Sequence, residues 1–555
     1  MEFSLTYTIG GRTITSSETE NEDYRLEITE DEDGARFKPE GSAFTMKIIA
    51  KHPLTMVKSK VMMPQSLSKG DWIYANGFQS WTDTREFSYD EILHDIGKVP
   101  AFIRNKYHFE SYGDSYFYKY KDNETHSFDF GYVRHPDGQA ELIGSRNYEN
   151  AYLIMAYEKD INRVTARTDC ANKYVDNEFT LFDFVLYSGR PVQILRKYFE
   201  SLGKCSAGPI RGYTSWYRFY QDISEEKMLE NLKSIDSSEF DLFQIDDGFE
   251  TFVGDWLDVD EKKFPHGLKP VVEMIHEKGL KAGLWLAPFV CETKSRLYTE
   301  HPDWLYRRED GEPVFAGSNW SGDVALDIRK EEVRGYIRNV LRHYAEMGFD
   351  FFKLDFLYAA VLINEPDGMT RAEIMRDGMK LLRESLNDKL ILACGVPLSS
   401  AFGLVEYSRI GPDVSLRFDD VFYMRKMHRE RISTKVTLQN TVFRSGMDGT
   451  VFRCDPDVFL LRDNDIHLTK SQRRALVMLN HLCGSVYMTS DDVGRYDAEK
   501  KALLQEARNL SGSVIEDIVF DGRIITVSYR RKGGAEGAAL SVLKYDTQKG
   551  VLTDG

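Results

Sequence analysis

Up to about residue 190, apolar residues recur at every second position in short runs. The runs 25–29, 44–49 and 115–120 alternate or are rich in β-branched and aromatic side chains. Such alternation predicts half-buried strands, because successive strand side chains point to opposite faces. Turn signals such as Asp33-Gly34 and Pro136-Asp137-Gly138 separate the runs, so a large antiparallel sandwich is expected over 1–190. An amphipathic stretch, 192–202, then leads to the break at Gly208-Pro209. From about 211 the rhythm becomes strand, loop, helix. Leu268, Val272 and Ile275 give one helix its apolar face, ended by Gly279. Val333, Ile337, Val340, Leu341 and Tyr344 mark a second, with acids at its start and Gly348 past its end. Buried strands are expected at 212–216, 242–246, 280–288, 351–355, 390–394, around 409, 451–455 and 486–490. Eight strands in about 280 residues have the size of a (β/α)8 barrel. The division expected is a β-sandwich over 1–190, a linker helix with the barrel over 191–495, and a small antiparallel β-domain over 496–555.

Length and composition agree with this multidomain reading. The chain has 555 residues, 42% hydrophobic and 29% charged, too many for one ordinary core. A formal charge of −16 argues against nucleic acid, whose binders concentrate positive charge. No apolar run approaches the ~18 residues of a membrane span, and the N-terminus shows no secretion signal. The six cysteines are scattered, without metal-ligand spacing, which predicts reduced thiols in a cytoplasmic protein.

The chemistry lies at the strand ends. In 349–356, Lys353 and Asp355 stand two positions apart on one face of an apolar strand. Burying two charges there costs several kcal/mol unless something uses them. A second isolated acid, Asp413, follows Gly411-Pro412. Two carboxylates from different strand ends are what glycosidic bond cleavage requires. Asp355 suits the nucleophile, and Asp413, on a loop, suits the proton donor. An inverting pair is the open alternative. Asp246-Asp247-Gly248 offers paired acceptors for adjacent hydroxyls. Two adjacent aspartates on a strand point to opposite faces, and the chain has no HExxH motif, so no metal site is expected. Cys394 lacks a nearby histidine to activate it, and Cys394-Gly395 is expected to form a ligand wall. Asp350 is the competing acid on the nucleophile's segment, and Asp419 and Asp420 are the competitors for Asp413.

Ten segments in order resemble glycoside hydrolase family 36, the α-galactosidases of bacteria, in its shorter-chain branch. They begin with Gly212-Tyr-Thr-Ser-Trp-Tyr and Phe243-Gln-Ile-Asp-Asp-Gly and continue through Trp285-Leu-Ala-Pro-Phe, Phe352-Lys-Leu-Asp-Phe, Cys394-Gly-Val-Pro-Leu and Arg409-Ile-Gly-Pro-Asp to Ser490-Asp-Asp. Asn76-Gly-Phe-Gln-Ser-Trp81 is similar to the family's loop that carries a tryptophan into the site. The resemblance implies a β-supersandwich, a central barrel and a C-terminal β-domain. It implies a retaining mechanism with Asp355 as nucleophile and Asp413 as acid/base, and hydrolysis of α-galactosides such as melibiose or raffinose. Asp246 and Asp247 would hold the C4 and C6 hydroxyls of galactose, and Trp81, Trp285, Lys353, Cys394, Gly395 and Arg409 would line the same subsite. No cofactor is implied. Three positions depart from the family pattern: Tyr213 stands for tryptophan, Ser318 for arginine, and Arg417 appears where a tryptophan is common. These bear on substrate preference, since related barrels act on α-linked N-acetylgalactosamine or α-1,6-linked glucose, and some transfer galactosyl groups. A non-catalytic carbohydrate-binding protein is the alternative of another class, and its signature would be loss of Asp355 or Asp413. Both are present.

Overall fold

The computed structural model describes residues 1–32, 34–363, 368–533 and 539–553. The N-terminal part is two seven-stranded sheets. Ser42–Ala50 shows how they form: Phe44, Met46 and Ile48 point inward, and the residues between them face outward. A one-residue slip would expose all three, so burial sets the register. In that register Phe44 pairs with Phe184. Between the sheets lies a core that includes Tyr7, Met56, Met155 and Phe182. The turn at Pro136-Asp137-Gly138 joins strands Phe130–Arg134 and Ala140–Ser145 as expected. Of the other predicted turn, Asp33 lies outside the described residues.

The run 115–120 is not a strand. Its first part is the short helix Asp114–Phe117. Tertiary demand overrides β-propensity here. The Asp114 carboxylate is buried and accepts from Phe78 N at 2.8 Å, and it pairs with Arg429 at 2.9 Å and His126 at 2.6 Å. That network binds the sandwich to the barrel, and an extended strand would pull Asp114 out of it.

The barrel strands are Ile210–Thr214, Leu242–Ile245, Lys281–Leu286, Phe351–Leu354, Leu390–Ala393, Tyr407–Arg409, Arg453–Asp455 with Val458–Phe459, and Val486–Thr489. All pair in parallel, and the last returns beside the first. The seventh, expected as one strand over 451–455, is broken at Pro456-Asp457. Its first half pairs with the sixth strand and its second half with the eighth. Proline cannot donate to the ladder, and Asp457 has φ +68°, so the ring closes through a kink. Helix Glu331–Met347 buries the predicted stripe of Val333, Ile337, Val340, Leu341 and Tyr344. After the eighth strand comes helix Ala498–Arg508, where strands were expected, because an eighth helix packs beside Lys470–Cys483. A four-stranded antiparallel sheet, Val514 to Thr553, follows. Among the described residues no helix is long and apolar enough to cross a membrane.

Sandwich and barrel share one continuous apolar core, which runs from Tyr74 and Phe130 through Tyr198 to Tyr407 and Phe443. Above it the loop 76–84 is clamped to the barrel by Arg444. This buried guanidinium donates to Asn76 Oδ1 (3.0 Å), Ser80 O (2.6 Å), Gln79 O (3.3 Å) and Ile410 O (2.8 Å). Asn440 adds bonds to Thr82 O and from Thr84 N. Replacing Arg444 by methionine keeps volume and leaves several buried carbonyls unpaired. We expect a loss of about 3 kcal/mol or more in unfolding free energy, at ~1–3 kcal/mol per orphaned group. Urea denaturation reads this, and a change below about 1 kcal/mol would mean that packing alone holds the loop.

Candidate active site

The C-terminal ends of the barrel strands surround a cavity of about 440 Å³. Trp81, Asp246, Asp247, Trp285, Lys353, Asp355 and Asp413 all line it. Asp355 stands one residue past the fourth strand, its backbone N–H bonded to Leu286 O at 2.8 Å. Its carboxylate accepts from Trp285 Nε1 (3.2 Å) and Phe356 N (2.9 Å), with Lys353 Nζ 3.9 Å away. Lys353 Nζ also reaches Asp246 Oδ2 at 3.1 Å. Burial alone would lower the Lys353 pKa, but the charges of Asp246 and Asp355 overcome it and raise it. The ammonium is therefore a fixed positive charge between two acids.

The second strand ends at Ile245, so Asp246 and Asp247 are loop residues. Strand alternation does not separate them, and the expectation of opposite faces is corrected: both face the cavity. Asp246 Oδ2 accepts from Gln244 Nε2 (2.7 Å) and Thr214 Oγ (3.1 Å) as well as Lys353. Asp247 accepts from Gln221 Nε2 (3.1 Å) and Trp320 Nε1 (2.9 Å). Gly248 makes this possible. It has φ +114°, and a Cβ there would lie 2.6 Å from Gln221 O. Only glycine tolerates both the angle and the approach. Among the described residues no group of three or more His, Cys, Asp or Glu could hold a metal ion.

Asp413 sits on the loop after the sixth strand, its side chain 35% exposed toward the cavity. Enclosure by protein raises its pKa to about 6, assisted by the Asp457 charge and opposed by Arg409 and Lys353. Arg409 Nη1 lies 2.8 Å from Asp413 Oδ1. The same guanidinium holds Asp455 (2.9 Å) and Asp457 (2.9 Å), and Tyr217 OH donates to Asp457. Arg409 thus stands behind the cavity wall and fixes three carboxylates. Cys394 and Gly395 also stand behind it. Cys394 is fully buried, its thiol pKa pushed well up by burial. Gly395, at φ +56°, lies under the Trp81 indole, where a Cβ would be 2.8 Å from a ring carbon. Tyr213 packs in the interior, stacked on Phe243 at 4.8 Å, whereas Ser318 reaches the cavity.

Sequence reasoning missed several wall residues: Gln221, Trp320, Tyr112, Tyr358, Phe109, Glu430 and Ile432. Trp320 carried one signal, the departure at Ser318 two residues earlier. Tyr112 and Phe109 come from the sandwich segment next to the misread strand, and no local pattern connects them to the barrel. The competing acids lie elsewhere. Asp350 sits at the opposite end of the fourth strand, bonded to His276 (2.9 Å) and Ala282 N (3.1 Å). Asp419 is tied to Arg431 and Ser433.

The melibiase family model matches residues 206–373. Alpha-galactosidase Mel36A from Lactobacillus acidophilus is 30% identical over 149 residues, 25% of this chain and 20% of that protein. TtGalA, an alpha-galactosidase from Thermus thermophilus solved with p-nitrophenyl α-D-galactopyranoside, superposes with a TM-score of 0.73 at 25% identity, over 94% of this chain and 97% of that one. Residues 206–373 are thus similar to the melibiase family. The fold is also that of the family 36 enzyme AgaA from Geobacillus stearothermophilus, at a TM-score of 0.60, 13% identity and coverage of 98% and 82%. The alignments with the curated relatives span a fifth or less of those proteins' length.

In this chain Asp350 and Asp355 can be separated experimentally. Asp350→Asn is expected to cost about 1 kcal/mol of stability, the scale of a half-exposed hydrogen-bonded pair, and to leave catalytic rates unchanged. Lost rate at unchanged stability would place the chemistry at the wrong end of the strand.

Proposed function

We propose that this chain is a retaining α-galactosidase that releases terminal α-linked galactose from oligosaccharides such as melibiose or raffinose. The observation that carries the reading is one cavity holding two carboxyl groups with unlike surroundings. Asp355 is ringed by donors and a cation, the environment of an ionised nucleophile. Asp413 is raised to about 6, the condition for a carboxyl that keeps a proton to give away. The activity in the names of Mel36A and TtGalA supports the same reading.

In this mechanism Asp246 and Asp247 accept hydrogen bonds from the C4 and C6 hydroxyls, and Trp81 and Trp285 wall the ring. Asp355 attacks the anomeric carbon as Asp413 protonates the departing glycosidic oxygen. A covalent β-galactosyl ester forms, and the aglycone leaves with the proton. Asp413, now ionised beside Arg409, deprotonates a water that attacks the same carbon. The ester bond breaks, Asp355 is regenerated, and α-galactose leaves. Lys353 steadies Asp355 throughout. The six free cysteines fit a reducing compartment, and we place the enzyme in the cytoplasm.

Turnover of aryl α-glycosides of galactose, glucose and N-acetylgalactosamine tests the reading. Galactose is expected to lead, because a site built to bond a hydroxyl rejects sugars that leave its acceptors unpaired. Preference for N-acetylgalactosamine would keep the clasp and open the C2 side, preference for glucose would overturn the clasp, and no turnover would restore the carbohydrate-binding reading.

Asp355→Gly should lower turnover by roughly 10³-fold or more, since no glycosyl ester can form. Azide should enter the vacated space and give the β-galactosyl azide. An α-azide product would mean that Asp355 is the acid/base and that the nucleophile stands elsewhere.

Asp413 must be protonated to act, so its contribution is complete below about pH 6 and is lost as pH rises through that value. For raffinose, kcat/KM should fall about tenfold per unit above it. A dinitrophenyl galactoside needs little protonation, so Asp413→Ala should spare it far more than raffinose. Equal losses on both would move the acid role elsewhere.

A further inference from the structure

Behind Asp247 lies a second acid with no place in the mechanism so far. Glu250 is 4% exposed and stands on the same loop as the equally buried Asp247, near enough for the two carboxyls to shift each other. Its Oε2 accepts from Gly248 N at 3.2 Å, and its backbone bridges to Val259. Two carboxyl groups in contact cannot both be ionised, so one proton lies between them. Which of the two keeps it follows from the donors. Asp247 receives side-chain N–H groups from Gln221, at both oxygens, and from Trp320, whereas only backbone N–H groups of its own loop serve Glu250. The anion belongs where donors are more numerous.

We propose that Glu250 is a positioning residue, a neutral carboxylic acid that donates its proton to Asp247 and so aims that carboxylate at the sugar. The proposal rests on Asp247 being a sugar acceptor. A carboxylate offers about four acceptor positions. Gln221, which reaches both oxygens, Trp320 and Glu250 take up most of these, and Asp247 lines the cavity, so what is left for a hydroxyl is narrowly set. Loss of the Glu250 proton would set two anions against each other without a donor between them, and Asp247 would swing off its aim.

The charged and titratable groups around Glu250 agree with this. Asp247 on its own loop disfavours a further negative charge on Glu250, as Asp246 does on Asp247. Lys263, from the next turn, donates its ammonium to Gln221 O (3.0 Å) and Gly248 O (2.8 Å). Tyr344, from helix Glu331–Met347, has its hydroxyl on Trp256 O. Burial first, then the Asp247 charge, raises the Glu250 pKa well above the ordinary range. The proton therefore stays below that raised value and is lost as pH rises through it, and affinity for the sugar should fall with it.

Two measurements on the whole chain test this. In the first, galactose inhibition constants are compared across pH for wild type, Glu250→Gln and Glu250→Ala. Glutamine keeps an N–H for Asp247 and cannot ionise, so it should hold affinity near wild type at low pH and lose the alkaline decline. Alanine should weaken binding on the order of tenfold or more, the effect of one hydrogen bond to a charged group. Equal weakening in both variants, or an unchanged alkaline decline in Glu250→Gln, would overturn the proposal. In the second, infrared difference spectra of wild type minus Glu250→Gln at neutral pH should show the carbonyl stretch of a protonated carboxylic acid. Its absence would also overturn it. If galactose fails to bind wild type at all, the galactoside reading fails, while the infrared band still decides where the proton sits. Thermal melting of each variant separates either outcome from misfolding.

Discussion

A buried guanidinium whose bonded acceptors are all neutral ties the two halves of the site together. Arg444 sits 1% exposed among the carbonyls of Gln79, Ser80 and Ile410 and the amide of Asn76. Burial lowers its pKa to about 10, so it still carries its charge at neutral pH. A buried charge costs several kcal/mol unless its donors are satisfied, and here the planar fork satisfies them by gripping two chain segments at once. One segment delivers Trp81, and the other is the end of the sixth strand, which leads to Asp413. A lysine has neither the donor number nor the geometry to do this.

Below that clamp the cavity is organised by the placing of two cations among many acids. Lys353 lies between Asp246 and Asp355, and Arg409 lies among Asp413, Asp455 and Asp457. Each group of acids has its own counter-ion, so neighbouring carboxyls take different protonation states in a space of a few hundred cubic ångströms. Asp413 is the outcome: its neighbours' negative charge and its enclosure lift it, and Arg409 keeps the shift moderate. Such division by environment is how one side-chain type supplies both anion and acid.

Much of this was legible in the chain. Period-two alternation gave the sandwich strands, period 3.6 gave the barrel helices, and the polar residues at several apolar strand ends, Asp246, Asp247, Lys353 and Asp355 among them, gave part of the cavity wall. Those signals are local. What escaped was set by contacts distant in sequence. The run 115–120 has strand composition, yet Asp114 is claimed by Arg429 and His126 and the chain turns helical. The seventh strand reads as continuous up to Pro456, where the ladder must break. The tryptophan at 320 and the tyrosine at 112 reach the cavity only because long loops fold back over it. Arg409 was legible as part of the site, but its depth was not, since sequence cannot separate a residue that faces a ligand from one that holds the residue facing it.

The Trp81 loop also has a consequence for how the molecule is made. Asn76 and Arg444 are 368 positions apart, and on its barrel side the loop docks on residues near 396, 410, 429 and 440. A ribosome releases the sandwich long before these partners exist. Contacts of such high sequence separation form late, after the entropy of closing a very long loop has been met. During synthesis the nascent sandwich must therefore wait with the Phe356 and Tyr358 side of Trp81 uncovered, an aromatic surface of the kind that chaperones bind. Completion of the cavity and burial of that adhesive patch are then a single event, so a chain that has the one has been relieved of the other.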